Sequence, residues 1–99
     1  MSYRVTSHWN EENEIRCLII FKKLQAQNFP RGKQMEYCRA MSRIANLDPG
    51  NISAKVCNYK SVAGVNSASN ASLNTKNLYR KYGHLSVQKL ESVLTDQKL

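Results

Sequence analysis

The sequence predicts a small all-α domain of four to five helices containing a helix-turn-helix-like, trihelical unit. Two observations predict it. Apolar residues recur at spacings of three and four and nowhere alternate strictly, which is the helical period and not that of a strand. Each periodic segment is also bracketed by residues that start or stop helices, among them Asn10, Gly32, Asp48-Pro49, Gly83 and Ser86. With 99 residues the chain has room for one core, so 1–99 is read as a single domain.

Residues 1–8 read as an extended lead-in. The first helix is expected over about 11–27, with Asn10 as its cap and Glu11, Glu12 and Glu14 in the first turn, where the helix dipole favours negative charge. Ile15, Leu18 and Ile19, widened by Cys17, Phe21 and Leu24, give it the broadest apolar face in the chain, so it should be the central core helix. Pro30 and Gly32 stop it. A second helix over about 33–45 should turn Tyr37, Cys38, Met41, Ile44 and Ala45 inward and Lys33, Glu36, Arg39 and Arg43 outward.

After the short turn Asn46-Leu47-Asp48, the stretch 48–60 opens with a capping aspartate and a proline suited to the first helical position. Ile52, Val56 and Tyr59 form an apolar seam, and Asn51, Lys55 and Asn58 line a neighbouring polar face. A basic helix, a tight turn and a short polar-faced helix make the arrangement that places a recognition helix in a DNA groove. The Ser-, Asn-, Ala- and Gly-rich stretch 61–74 reads as a long loop whose small side chains and backbone N–H groups could approach phosphates. A fourth helix over about 74–82 turns Leu78, Tyr79 and Tyr82 inward and Lys76, Arg80 and Lys81 outward, with Gly83 as its C-terminal cap. Ser86 caps the last helix, Leu85 and Leu90 staple its start, and Val87, Leu90 and Leu94 dock it.

Charge is the most informative bulk property. Fifteen Lys and Arg oppose seven Asp and Glu, for a net +8. Residues 1–28 are nearly balanced, so the excess sits in 29–99. A basic surface confined to part of a small domain favours a polyanionic partner, most often nucleic acid. Cys17, Cys38 and Cys57 are odd in number, form no CxxC, and read as reduced thiols of a cytoplasmic protein. Residues 1–6 are polar with no apolar run behind them, and the longest apolar run, 17–21, is too short to span a bilayer, so neither export nor a membrane partner is expected.

Catalysis is not expected. His8 and His84 are isolated, and the acid cluster at Glu11, Glu12 and Glu14 is accounted for by a helix start. Only Glu36, Asp48, Glu91 and Asp96 occur in the basic part, too few and too scattered for a metal-dependent nuclease, and no phosphate-binding glycine motif is present. No metal, cofactor or small-molecule substrate is expected. The DNA-binding candidates are Arg39, Arg43, Lys55, Lys60, Arg80 and Lys81 for phosphates, and Asn51, Ser53 and Asn58 for base edges, where an amide both donates and accepts.

Trp9-Asn10-Glu11-Glu12, the run Gly50-Asn51-Ile52-Ser53-Ala54-Lys55-Val56-Cys57-Asn58-Tyr59-Lys60-Ser61, and then Gly64 and Asn70-Ala71-Ser72 resemble the N-terminal region of bacterial HNH endonuclease-like restriction proteins. The match covers roughly 9–80, with Lys55, Asn58 and Tyr59 its most specific part. The opening Trp and acids followed by three helices also look like Myb/SANT-type trihelical DNA-binding domains. The resemblance implies that Lys55, Asn58 and Lys60 contact DNA while Tyr59 packs or braces a phosphate. No HNH nuclease motif is present in the chain, so it implies a recognition module without nuclease activity. The expectation is a non-catalytic protein binding double-stranded DNA as a homodimer, and fitting a phage or mobile-element regulator. The rival is an inhibitor or adaptor of the anti-defence type, docking the same basic face on an acidic protein of a nucleic-acid-processing or restriction complex.

Overall fold

The computed structural model describes residues 9–65 and 73–97, and all regular structure among them is helical: α1 (Glu11–Ala26), α2 (Lys33–Ala45), α3 (Pro49–Val62), α4 (Leu73–Tyr82) and α5 (Val87–Gln97). The expected lead-in at 1–8 and the middle of the expected loop, 66–72, lie outside the described residues.

α1 is the hub, packing against all four other helices, and α3 is next, packing against α1, α2 and α4. Ile15, Leu18, Phe21 and Leu24 are buried along α1 and meet Ile52, Val56 and Tyr59 of α3, Cys38 and Met41 of α2, Leu78 of α4 and Leu90 of α5 in one core. Each large aliphatic or aromatic side chain so buried contributes about 1.5–3 kcal/mol. Phe21 and Tyr79 meet edge-on at 6.4 Å, and Tyr59 and Tyr79 lie 6.5 Å apart, so an aromatic chain joins α1, α4 and α3.

Capping residues act where the sequence places them. Asn10 Oδ1 accepts from the Asn13 amide at 2.8 Å, Asp48 Oδ2 accepts from the Gly50 amide at 2.8 Å, and Ser86 Oγ accepts from the Lys89 amide at 3.2 Å. Asn46, in the left-handed region at φ 55°, ends α2, and Ser42 Oγ donates to the Leu47 carbonyl at 2.6 Å, which tightens the turn into α3.

Four local expectations need correcting. α3 does not end at Lys60: Ser61 and Val62 continue it. Gly64 at φ 83° then closes a Schellman motif, with the Val65 amide donating to the Lys60 carbonyl and the Gly64 amide to the Ser61 carbonyl. The glycine that read as part of the loop is thus a helix stop. α4 likewise begins at Leu73, so both ends of the expected 61–74 loop are helical. Gly83 follows α4 without a left-handed backbone, and what it supplies is space, because a Cβ there would collide with the Tyr79 carbonyl. Ile44, expected inside, is 70% exposed. Cys38, Met41 and Ala45 centre the buried face of α2, which leaves Ile44 on its outer edge, beside α5.

Candidate nucleic-acid interface

The polar face of α3 divides into two parts, one facing its neighbours and one facing solvent. Lys55 belongs to the first. Its Nζ lies 3.3 Å from Glu14 Oε1 on α1 and 3.3 Å from Thr75 Oγ1 on α4, and 4.9 Å from the centre of the Trp9 ring. The Thr75 hydroxyl donates to the same Glu14 oxygen at 3.2 Å. The Glu14 side chain is only 1% exposed and that of Lys55 17%, so this ion pair is an internal joint between α1, α3 and α4. Close by on the same core line, burial and the Glu14 charge push the Cys17 thiol well above the ordinary thiol range.

Lys60 is also engaged. Its Nζ donates to Gln34 Oε1 at 2.6 Å and lies 5.1 Å from the centre of the Phe29 ring. The amide nitrogen of the same Gln34 donates to Ser53 Oγ at 2.8 Å and lies 3.5 Å from Cys57 Sγ, so one glutamine ties α2 to three positions of α3. Cys38, in the same seam, has its thiol held up by burial and by Cys57, against a lowering hydrogen bond with Ser53. Tyr59 is fully buried and packs in the core.

Of the residues singled out on α3, Asn51 is exposed and Asn58 half-buried; with the exposed Ala54 they leave a narrow, uncharged outer edge. The free positive charge lies on the helices flanking it. Arg39 and Arg43 are exposed on α2, and Lys76, Arg80 and Lys81 are exposed on α4. Among the described residues none of these five forms an ion pair. Lys81 lies 5.0 Å from the centre of the Tyr82 ring, and the Tyr82 hydroxyl, with the Glu11 charge behind it, raises the lysine's pKa.

The acids are engaged elsewhere. Glu12 pairs with Arg16 at 2.7 Å and Glu36 with Lys33 at 3.6 Å, Glu14 holds Lys55, and Glu11 accepts from the Tyr82 hydroxyl at 2.9 Å. Asp48 caps α3. Glu91 lines a cleft on the opposite side of α1, between α2 and α5. Five cations of the positive excess read from composition are therefore exposed and un-neutralised on α2 and α4, and Arg31 and Lys89 are exposed outside them.

No family model, curated protein or solved structure matches the chain. Among the described residues no group of His, Cys, Asp and Glu could hold a metal ion, and no helix is long and apolar enough to cross a membrane.

Three residues of the site were missed by the sequence reading: Glu14, Thr75 and Gln34. Glu14 carried a signal. It precedes Cys17, Leu18 and Phe21 by three, four and seven residues, which places it on the core line of α1 as well as in the dipole-favoured first turn. Gln34 likewise precedes Cys38 by four and Met41 by seven. Thr75 carried the same signal, preceding Leu78, Tyr79 and Tyr82 by three, four and seven residues.

Proposed function

We propose that the chain is a non-catalytic DNA-binding protein that holds the phosphate backbone through Arg39, Arg43, Lys76, Arg80 and Lys81 and presents Asn51 and Asn58 to the bases. The observation that supports it best is the distribution of charge: Glu11, Glu12, Glu14 and Glu36 are held by other side chains and Asp48 by a helix end, while both helices flanking α3 expose cations with no acid partner. Lys55 and Lys60, expected at phosphates from the grouping of cations as well as from the HNH-like resemblance, take structural roles within this proposal, as braces of α3 against α1, α4 and α2. Asn51 keeps its assignment because the first turns of a recognition helix are the part that reaches base edges. A single reader of this size covers little DNA, so binding as a homodimer completes the proposal, as does a cytoplasmic, regulator-like role.

A salt titration of duplex binding tests it. Each phosphate contact contributes a slope of about −0.9 in log affinity against log salt, so four to five contacts give roughly −4. Replacing Arg39, Arg43, Lys76 and Arg80 together by glutamine should bring the slope to about −1, the one contact left to Lys81, with the melting temperature unchanged. A parent protein that binds no duplex at low salt would refute the proposal.

One observation favours the second reading, an adaptor that docks on another protein. An open cleft of about 270 Å³ between α1, α2 and α5 has an apolar floor of Ile19, Ile20, Met41 and Leu94, the exposed Ile44 at its edge, and Lys23 and Glu91 beside it, with Arg16 paired to Glu12. Retention of a stoichiometric protein partner after nuclease treatment, abolished by Ile44→Glu, would support it over DNA binding.

A further inference from the structure

A second concavity lies between α3 and α4, with a volume of about 430 Å³, and Val62, Lys76, Tyr79 and Arg80 line it. Its chemistry narrows the ligand. Lys76 and Arg80 stand one helical turn apart on α4, exposed and without an acid partner among the described residues, so the groove attracts an anion and repels a cation. Beside them Tyr79 lines the groove, and Val62 supplies an aliphatic wall from the last turn of α3. An inorganic anion would use the two cations and leave the ring and the valine idle. A neutral aromatic would do the reverse. The occupant that engages all four has a flat π-system joined to a phosphate, and the volume lies within the usual range for a small-ligand site.

The ring is fixed in place. Tyr79 is wedged against Phe21 at 6.4 Å and Tyr59 at 6.5 Å, and Gly83 closes over it so tightly that an added Cβ would lie 3.0 Å from its Cδ1. A half-buried aromatic held on several sides and still lining a groove loses little freedom when a base stacks on it, which is what a stacking platform requires.

We infer that the α3–α4 groove is a site for one unpaired nucleotide, its base against Tyr79 and Val62 and its phosphates between Lys76 and Arg80. The inference rests on the nucleic-acid reading of the basic face and adds a preference that phosphate contacts alone do not give. A base inside a duplex has both faces covered and cannot stack on Tyr79. The nucleotide must come from a single strand, from an unpaired position in a duplex, or free in solution.

The test uses the full chain with three probes: a ten-residue deoxythymidine strand carrying one 5-iodouracil, the same strand annealed to its complement, and dTMP as competitor. Tighter binding of the single strand than of the duplex is expected, with irradiation linking the iodouracil to Tyr79 as located by peptide mass spectrometry. Tyr79→Leu should weaken strand binding about 5- to 100-fold while duplex binding holds, and Tyr79→Phe should restore it. Competition by dTMP at millimolar concentration assigns the site to a free nucleotide as well; lack of competition, with the cross-link in place, assigns it to a strand. Should Tyr79→Leu fail to fold, the cross-link in the parent protein decides alone. A cross-link elsewhere, or equal salt-dependent binding of strand and duplex with Tyr79→Leu indifferent, overturns the groove and leaves the basic face standing. Absence of binding to every probe at low salt overturns both.

Discussion

Replacing Lys55 by alanine separates a structural lysine from a DNA-contacting one. The Lys55 ammonium lies 3.3 Å from a carboxylate whose side chain is 1% exposed. At an effective dielectric constant near 20 the attraction across that distance is about 5 kcal/mol, most of it offset by the cost of taking both charges out of water. Removing one partner is costlier than the net worth of the pair, because Glu14 stays behind as a buried charge; such truncations typically cost about 3–5 kcal/mol. Lys55 keeps 17% of its side chain in contact with water, so water can reach Glu14 in the variant, and the lower end, about 3 kcal/mol, is the figure expected. A domain of this size has a total stability of roughly 5–15 kcal/mol, so the loss is a large share of it. At about 4–8 °C per kcal/mol the melting temperature should fall by roughly 12–24 °C.

Thermal and urea melts of Lys55→Ala, followed by circular dichroism, give the number. The double variant Glu14→Gln/Lys55→Met is the companion, since replacing both charges with neutral groups of similar shape leaves no orphan and should recover most of the stability. Lys55→Ala with the parental melting temperature and a loss of DNA affinity would refute the reasoning, for it would put the ammonium at the ligand and not at Glu14.

Two further outcomes are expected from the parts that hold the site. Cys17 and Cys38 are buried with their thiols raised above the ordinary value of 9.0, so the folded state keeps those protons after the unfolded chain has released them. Their contribution is therefore fully present below about pH 9 and is lost as pH rises beyond it, at up to about 1.4 kcal/mol per pH unit for each thiol, and denaturation from pH 7 to 11 should show stability falling only in the alkaline half. Gly83→Ala should cost about 1–3 kcal/mol by equilibrium unfolding, because the new methyl group meets the Tyr79 carbonyl, and should weaken single-strand binding by shifting Tyr79; an unchanged midpoint would show that the turn after α4 yields without cost.

The helices were legible because their signals are local. Asn10, Asp48 with Pro49, and Ser86 announce helix starts within a few residues, and the stripes of α1 and α3 need nothing beyond their own period. What lay beyond reach were pairings between helices. Glu14 and Lys55 are 41 positions apart, and nothing along the chain states that one would meet the other. Each nevertheless stood at a core-line spacing: Glu14 ahead of Cys17 and Leu18, Lys55 three residues after Ile52 and four before Tyr59. Two opposite charges, each riding on an apolar seam of a core helix, are a pair waiting to be buried together, since neither could be buried alone. A local cause for Glu14, the helix dipole, and a local use for Lys55, a phosphate, were sufficient explanations taken singly, and for that reason they concealed the joint one.

That joint changes what α3 can do. A recognition helix gains affinity from cations along its own exposed face, but α3 directs Lys55 and Lys60 into its neighbours and leaves Asn51, Ala54 and Asn58 as an uncharged edge. Attraction, under the proposed function, then comes from α2 and α4, and contacts made only by flanking helices hold the backbone without regard to sequence. Under the proposed function the consequence is specific. Affinity depends steeply on salt and weakly on base order, and selectivity comes from strand state, through the rigid ring of Tyr79, more than from base edges read by a pair of asparagines. A binding-site selection on random duplex that returned a sharp consensus would place Asn51 and Asn58 back at the centre; a flat one, alongside a clear preference for unpaired bases, follows from α3 acting as the brace between two basic helices.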